Sequence, residues 1–401
     1  MLRFHSISLY LTESNPQSDK IQKTNQELLD VAFAFQQNGQ ILPDSYVIDM
    51  DILLDNAAKI LKEAKKNGVE LFFMLKQVGR NPYIARKLMD IGYEGAVVVD
   101  FKEARIMMDA GIPIGNVGHL VQIPNAMIPE LVAYHPKVIT VYSMEKLECI
   151  QQAAKEQNIT QKVLLRVYDN GDIIYPGQTA GFLLNELKKI TADILENYPN
   201  IQIAGVTSFP CYLYDEKKGD IEPTYNLLTV KEAVDILKEV GVEVKIVNTP
   251  SATCTRTVQK MVEFGGNCGE PGHGLTGTTP MHAVCDMEET PCIVYVSEIS
   301  HNFEGKAYCY GGGHYRRSHM KYALVGRNLK NAQKMEVLPP SLESIDYHFE
   351  LEKECEIGVA AVMAFRFQIF VTRSDVVIME GIHKGKPEIV GVYDSLGRRK
   401  K

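Results

Sequence analysis

The sequence has no C-x-x-C pair, no low-complexity segment and no excess of basic charge. Nor does any apolar run approach the ~20 residues that a membrane helix needs. Each absence excludes something. The eight cysteines are irregularly spaced and read as reduced cytoplasmic thiols in core or loop positions. A diffuse net charge of -7 argues against nucleic acid as a partner. The opening stretch MLRFHSISLYLTESNPQSDK has one Arg and a short, interrupted apolar segment. It reads as a strand and not as a signal peptide. What is present is ordinary globular material, 45% hydrophobic and 23% charged over 401 residues, enough for two cores.

From Tyr46 the pattern alternates. YVIDM is strand-like, and DILLDNAAKILKEAKKNG comes after it at helical spacing with Gly68 as its stop. Eight short apolar strands come next, most followed by a helix-like segment: ELFFML, GAVVVD, GNVGHL, KVITVY, VLLRVY, IQIAGVTSF, VEVKIVNT and VEFGGN. Repeated βα units predict a parallel sheet, and eight of them predict an α/β fold of the (β/α)8 TIM-barrel type. An open doubly wound sheet is the alternative. After about residue 285 the segments become β-rich with turns between them. The expected domains are a barrel over 45–285 and a β-rich domain from 1–44 plus 286–401.

Barrel chemistry gathers where strands end. Lys76 ends the first strand, Arg166 lies on the fifth, and TSFPCY ends the sixth. NTPSAT ends the seventh, and GGNCGEPGHGLTG comes after the eighth. Each has an ordinary reading: a snorkelling lysine, a barrel-closing arginine, a helix cap, a glycine turn. Together they ask for more. Small residues and hydroxyls at two adjacent strand ends can cradle a dianion. A lysine supplies an amine, and the acid needs a cationic partner. Pyridoxal phosphate meets all three requirements, with an aldehyde, a phosphate and a ring nitrogen.

At these residues the chain resembles the fold-type III pyridoxal-phosphate enzymes, the alanine racemase-like family, and within it the YhfX-like branch. VIDMDILLDNAAKI, FFMLKQVG, AVVVDFKEARIMMDAGI, VNTPSAT and GEPGHGLTG carry the resemblance in order. It implies Lys76 as the Schiff-base lysine and Thr249, Ser251, Gly272 and His273 around the phosphate. It also implies Glu270 at the ring nitrogen, Phe209 against the ring and Arg166 among the cofactor contacts. AYCYGGGHYRRSH aligns with the segment bearing the racemases' second base, which makes Tyr310 the candidate and His314 the reserve. Cys309, His314 and His319 match no standard zinc spacing, so no metal is expected.

The resemblance implies a cytoplasmic homodimer acting at Cα of an amino acid, most simply a racemase. Two features depart from the racemases: Glu270 stands where they place an arginine, and Phe209 replaces a stacking histidine. The related decarboxylases carry a Cys-Asp pair in the second domain, whereas Cys285–Asp286 lies too near the barrel end to match. That mismatch weakens decarboxylation, but Glu270 favours a lyase or decarboxylase as the alternative, and a non-catalytic pyridoxal-phosphate carrier is a third.

Overall fold

The computed structural model describes residues 16–401 except 316, 339 and 342. It divides into two units, one of Ala57–Lys76 and Pro82–Gly274, the other of the described residues up to Asn56 with Gln77–Asn81 and Leu275–Lys401.

The first unit is a parallel, nearly closed barrel. Its first position is split around Phe72 into Glu70–Leu71 and Phe73–Met74. Ala96–Val98, Ile114–Val117, Val138–Val141, Gln161–Tyr168, Ile201–Thr207, Ile246–Asn248 and Cys268–Gly269 complete it. Phe73–Met74 pairs with Ala96–Val98, while Glu70–Leu71 pairs with the last strand, Cys268–Gly269. That double pairing closes the ring and rules out the open sheet. Phe72, Met74, Val97, Val138, Leu164, Ala204, Ile246 and Cys268 fill the interior as one buried cluster. The Phe72 ring occupies the space above Gly115, where a Cβ would lie 2.1 Å from it. The amphipathic helix Met50–Lys66 ends at Gly68, whose φ of +67° lets the Val69 amide reach back to Ala64 O.

The eighth strand differs from expectation. VEFGGN is the end of helix Thr255–Glu263 and the turn after it, and the strand is Cys268–Gly269. Val258 and Met261 bury one face of that helix, whereas Val262 is 44% exposed, and a run as short as VEF carries no periodicity to tell the two apart.

The second unit is built on a nine-stranded sheet. Ser45–Asp49, expected to open the barrel domain, belongs here. It pairs antiparallel with Ile293–Phe303 and parallel with Asp375–Glu380, and all five of its residues are buried. The strand read at the N-terminus falls mostly on residues 1–15, outside the described residues. The next two segments, Pro16–Thr24 and Gln26–Gln37, are helices. Leu28, Leu29, Ala32 and Phe33 of the second helix join Val47, Val294, Val362 and Val377 in this unit's core. Among the described residues, no helix is long and apolar enough to cross a membrane.

Candidate active site

Because the barrel strands are parallel, the residues just past their ends collect at one mouth. Lys76 comes just after Phe73–Met74 and opens a short 3-10 turn, where it is half-buried. Thr249 comes directly after Ile246–Asn248, and Glu270 directly after Cys268–Gly269.

Glu270 is fully buried, and its surroundings are specific. Its Oε1 accepts from Asn116 Nδ2 at 3.0 Å and from Asn248 Nδ2 at 2.9 Å. Its backbone amide donates to Thr253 Oγ1 at 3.3 Å. Its Oε2 is buried and, among the described residues, has no hydrogen-bond partner. Burial raises the Glu270 pKa above the ordinary carboxylate value, while the two amide donors and the charge of Lys76 oppose the rise. Asn116 is itself oriented by Thr140, whose Oγ1 donates to Asn116 Oδ1 at 2.8 Å.

Arg166 lies on strand Gln161–Tyr168 with 2% of its surface exposed. Its Nη1 donates to His119 O at 3.0 Å and its Nη2 to Gln178 O at 2.8 Å, while the guanidinium sits 5.6 Å from the Tyr142 ring. Phe209 is half-buried and meets the His119 ring edge-on at 5.7 Å.

The turn after the seventh strand is conformationally unusual. Ser251 and Ala252 have φ values of +108° and +51°. Consecutive non-glycine residues in this region cost of order 1–3 kcal/mol each and persist where the surroundings demand them. The turn is tied down by Cys211, whose amide donates to Pro250 O at 3.0 Å, and by Thr257 Oγ1 on Ala252 O. Thr249 is fully enclosed, and its hydroxyl lies under Gly266, where a Cβ would come within 2.5 Å of it. Gly272 is buried and His273 half-buried in the turn after Glu270.

Lys76, Arg166, Phe209, Thr249, Ser251, Glu270, Gly272 and His273 thus all fall in the barrel unit. Tyr310 and His314 do not. They belong to the β-rich unit, where the Tyr310 ring lies 5.8 Å from His348 and the His314 amide donates to Asp346 Oδ2 at 3.3 Å. Among the described residues, no group of three or more His, Cys, Asp and Glu side chains is placed to hold a metal ion. All eight cysteines are free thiols.

Asn116, Asn248 and His119 escaped the sequence reading. A signal existed for the asparagines: each is a polar residue inside an otherwise apolar parallel strand, and buried amides are retained only with partners.

Family comparisons agree with this architecture. The profile described as alanine racemase, N-terminal domain, matches residues 48–280. The chain belongs to the alanine racemase-like family. Its second unit matches the profile of the YhfX-like C-terminal domain over residues 294–389. The protein YhfX of Escherichia coli (strain K12) is 45% identical over 382 residues, covering 94% of this chain and 98% of that protein. Solved structures with the same fold include an alanine racemase from Clostridium difficile 630 in complex with cycloserine. It has a TM-score of 0.62 and 18% identity over 88% of this chain and 99% of that one. They also include D-threonine aldolase from Filomicrobium marinum, with a TM-score of 0.63 and 15% identity over 90% and 96% of the two chains. D-threo-3-hydroxyaspartate dehydratase from Delftia sp. HT23 has a TM-score of 0.65 and 15% identity over 88% and 97%. Members of the family use pyridoxal phosphate.

Proposed function

We propose that this chain is a pyridoxal-phosphate-dependent enzyme acting at Cα of an amino acid, an amino-acid racemase with Lys76 as the lysine that carries the cofactor. The observation that supports it most is the Glu270 carboxylate, clamped through one buried oxygen while the other, also buried, has no partner among the described residues. An oriented, buried acceptor of this kind suits a protonated ring nitrogen. The left-handed turn at Ser251 and Ala252 suits a phosphate, and with the unpartnered Glu270 oxygen the residues present fit the cofactor. Thr249, Ser251, Gly272 and His273 would hold that phosphate, and Arg166 and Phe209 would bound the ring.

When bound, the cofactor supplies an electron sink for the pair left at Cα. The chain's own residues do the rest. Lys76 accepts the Cα proton on one face, and Tyr310, with His314 in reserve, serves the other. Glu270 holds its negative charge where positive charge must persist during the reaction. A cytoplasmic homodimer is part of this reading, and a monomeric mass by light scattering at micromolar concentration with full activity would count against it.

One observation favours a second reading. A carboxylate at the ring makes a stronger sink than the arginine of the racemases, which suits a lyase or decarboxylase on the same scaffold. Incubation of the purified protein with both enantiomers of a panel of amino acids in deuterated water separates them. Racemisation incorporates deuterium at Cα and inverts configuration, and a lyase or decarboxylase consumes the amino acid. No exchange and no consumption with any member, at full cofactor occupancy, would leave only the carrier.

A further inference from the structure

His119 lies two residues beyond strand Ile114–Val117, in the barrel unit with Lys76 and Arg166. It is 1% exposed, and among the described residues neither Nδ1 nor Nε2 has a hydrogen-bond partner. A buried polar group without a partner costs about 1–3 kcal/mol, so native proteins rarely retain one without a use. Replacement by a hydrocarbon would remove that cost, yet the chain keeps an imidazole here.

Its neighbours say what it waits for. Arg166 Nη1 is fixed on the His119 carbonyl oxygen at 3.0 Å, which holds the guanidinium beside this residue. The Phe209 ring closes one side edge-on at 5.7 Å. Burial first, then the charges of Arg166 and Lys76, push the imidazole pKa well below its ordinary value. His119 is therefore a neutral ring with one N–H to give, held beside the Arg166 guanidinium and within the field of Lys76, two cations that draw an anion. A second cation would be repelled from this position, and an apolar group would leave the ring nitrogens bare.

We infer that His119, together with Arg166, forms a subsite for an anionic oxygen of the molecule held at Lys76. The assignment rests on the cofactor reading proposed for this chain. Two oxygens share this chemistry: the ring oxygen of pyridoxal phosphate and the carboxylate of the amino acid. In either case His119 contributes the N–H and Arg166 the charge. Each variant keeps Arg166, so the measurements report the imidazole alone.

The experiment compares the full-length wild type with His119→Leu and His119→Gln. Binding of pyridoxal 5'-phosphate and of 3-deoxypyridoxal 5'-phosphate, which lacks the ring oxygen, is titrated by absorbance. The spectral response of the loaded proteins to both enantiomers of the twenty amino acids, and to their amides, is then recorded. Loss of a hydrogen bond to a charged group predicts about tenfold or greater weakening in His119→Leu, partly restored in His119→Gln.

If the ring oxygen is the ligand, the loss appears with pyridoxal phosphate and is absent with the deoxy compound. If the carboxylate is the ligand, cofactor affinity holds while the amino-acid response weakens and the amide response does not. Without ligand, His119→Leu should melt at or above the wild-type temperature, because it removes a bare polar group; a merely structural histidine would leave the variant less stable. Should His119→Leu fail to fold, that result together with wild-type affinities in His119→Gln would overturn the assignment. Unchanged cofactor and amino-acid binding in a folded His119→Leu would overturn it while leaving the cofactor reading intact. A wild type that takes up no pyridoxal phosphate would end both.

Discussion

Asn248 Nδ2 donates to Glu270 Oε1 at 2.9 Å, while the second oxygen of the same carboxylate, Oε2, is buried with no partner among the described residues. Asn116 donates to the same Oε1, so both donors converge on one side of the group. Each hydrogen bond stabilises the ionised carboxylate against the cost of burial. Asn248→Ala should therefore raise the Glu270 pKa further and weaken its hold on a cationic partner. We expect Cα–deuterium exchange in the loaded enzyme to slow by at least ~10-fold in Glu270→Gln, about 1.4 kcal/mol of lost stabilisation, and by less in Asn248→Ala. Substrate binding should change less than exchange, because charge at the ring matters most as the Cα proton leaves. Wild-type exchange in Glu270→Gln at full cofactor occupancy would remove Glu270 from this role.

Lys76 stands at the end of a strand whose preceding residues, Phe72 to Leu75, are all buried. Lys76→Ala should lose the visible absorbance of bound cofactor on gel filtration, and borohydride treatment of the wild type should leave a covalent adduct at residue 76. An adduct retained in the mutant would place the attachment elsewhere.

Gly205 faces Ile246 across two parallel barrel strands, and a Cβ there would sit 1.7 Å from the Ile246 carbonyl oxygen. That atom is backbone within a ladder and cannot move without parting the strands. Gly205→Ala should destabilise the protein by at least ~2 kcal/mol, the upper range of overpacking. Urea unfolding monitored by circular dichroism measures it, and a wild-type midpoint would show that the barrel yields at this point.

Asp44 gives the β-rich unit a pH dependence. Its Oδ1 accepts from the Tyr295 hydroxyl at 3.0 Å and from Ser374, with Arg373 and Asp346 as the other charges that act on it. Burial above all raises its pKa from 3.8 to about 6. A carboxyl whose folded-state pKa exceeds its unfolded one favours folding when protonated. That contribution is complete below about pH 4 and is lost as the pH rises through about 6. Discounted for partial exposure, the loss is about 1–2 kcal/mol by pH 7. Asn tolerates the φ of +61° at this position, so Asp44→Asn is a fair comparison. The stability of the variant relative to wild type should increase from pH 4 to pH 7, read from unfolding midpoints at each pH. A constant difference across that range would refute the titration.

The barrel and much of its mouth were readable in the sequence, and for a local reason. Apolar strands alternating with helical spacing dictate parallel βα units, and parallel strands put their ends on one side, so Lys76 and Arg166 could be placed at that mouth by position, while Glu270 took its role from the resemblance of GEPGHGLTG. The β-rich character of the later segments was equally local. Where the sequence did not suffice, the deciding contacts were non-local. Ser45–Asp49 has the pattern of any buried strand, and only its pairing with Ile293–Phe303 and Asp375–Glu380 assigns it to the second unit. The eighth strand was misplaced because VEF is too short to show a period, and Val262 in fact lies exposed near the end of a helix whose buried face is Val258 and Met261.

His119 and Asn116 come from one short segment, GNVGHL; a polar residue inside an apolar strand marks Asn116, but nothing in the segment marks which group either one meets. Asn116 reaches Glu270 across 154 positions of chain, and Arg166 reaches His119 across 47. Arg166 meets His119 because their strands flank Val138–Val141 in the sheet, and Asn116 meets Glu270 within a barrel whose first strand pairs with the last as well as the second. Periodicity is set by neighbours along the chain, and the sequence determines it directly. Whether a buried amide, an imidazole or a carboxylate finds a partner depends on groups brought together only by folding, and the tertiary structure alone decides it.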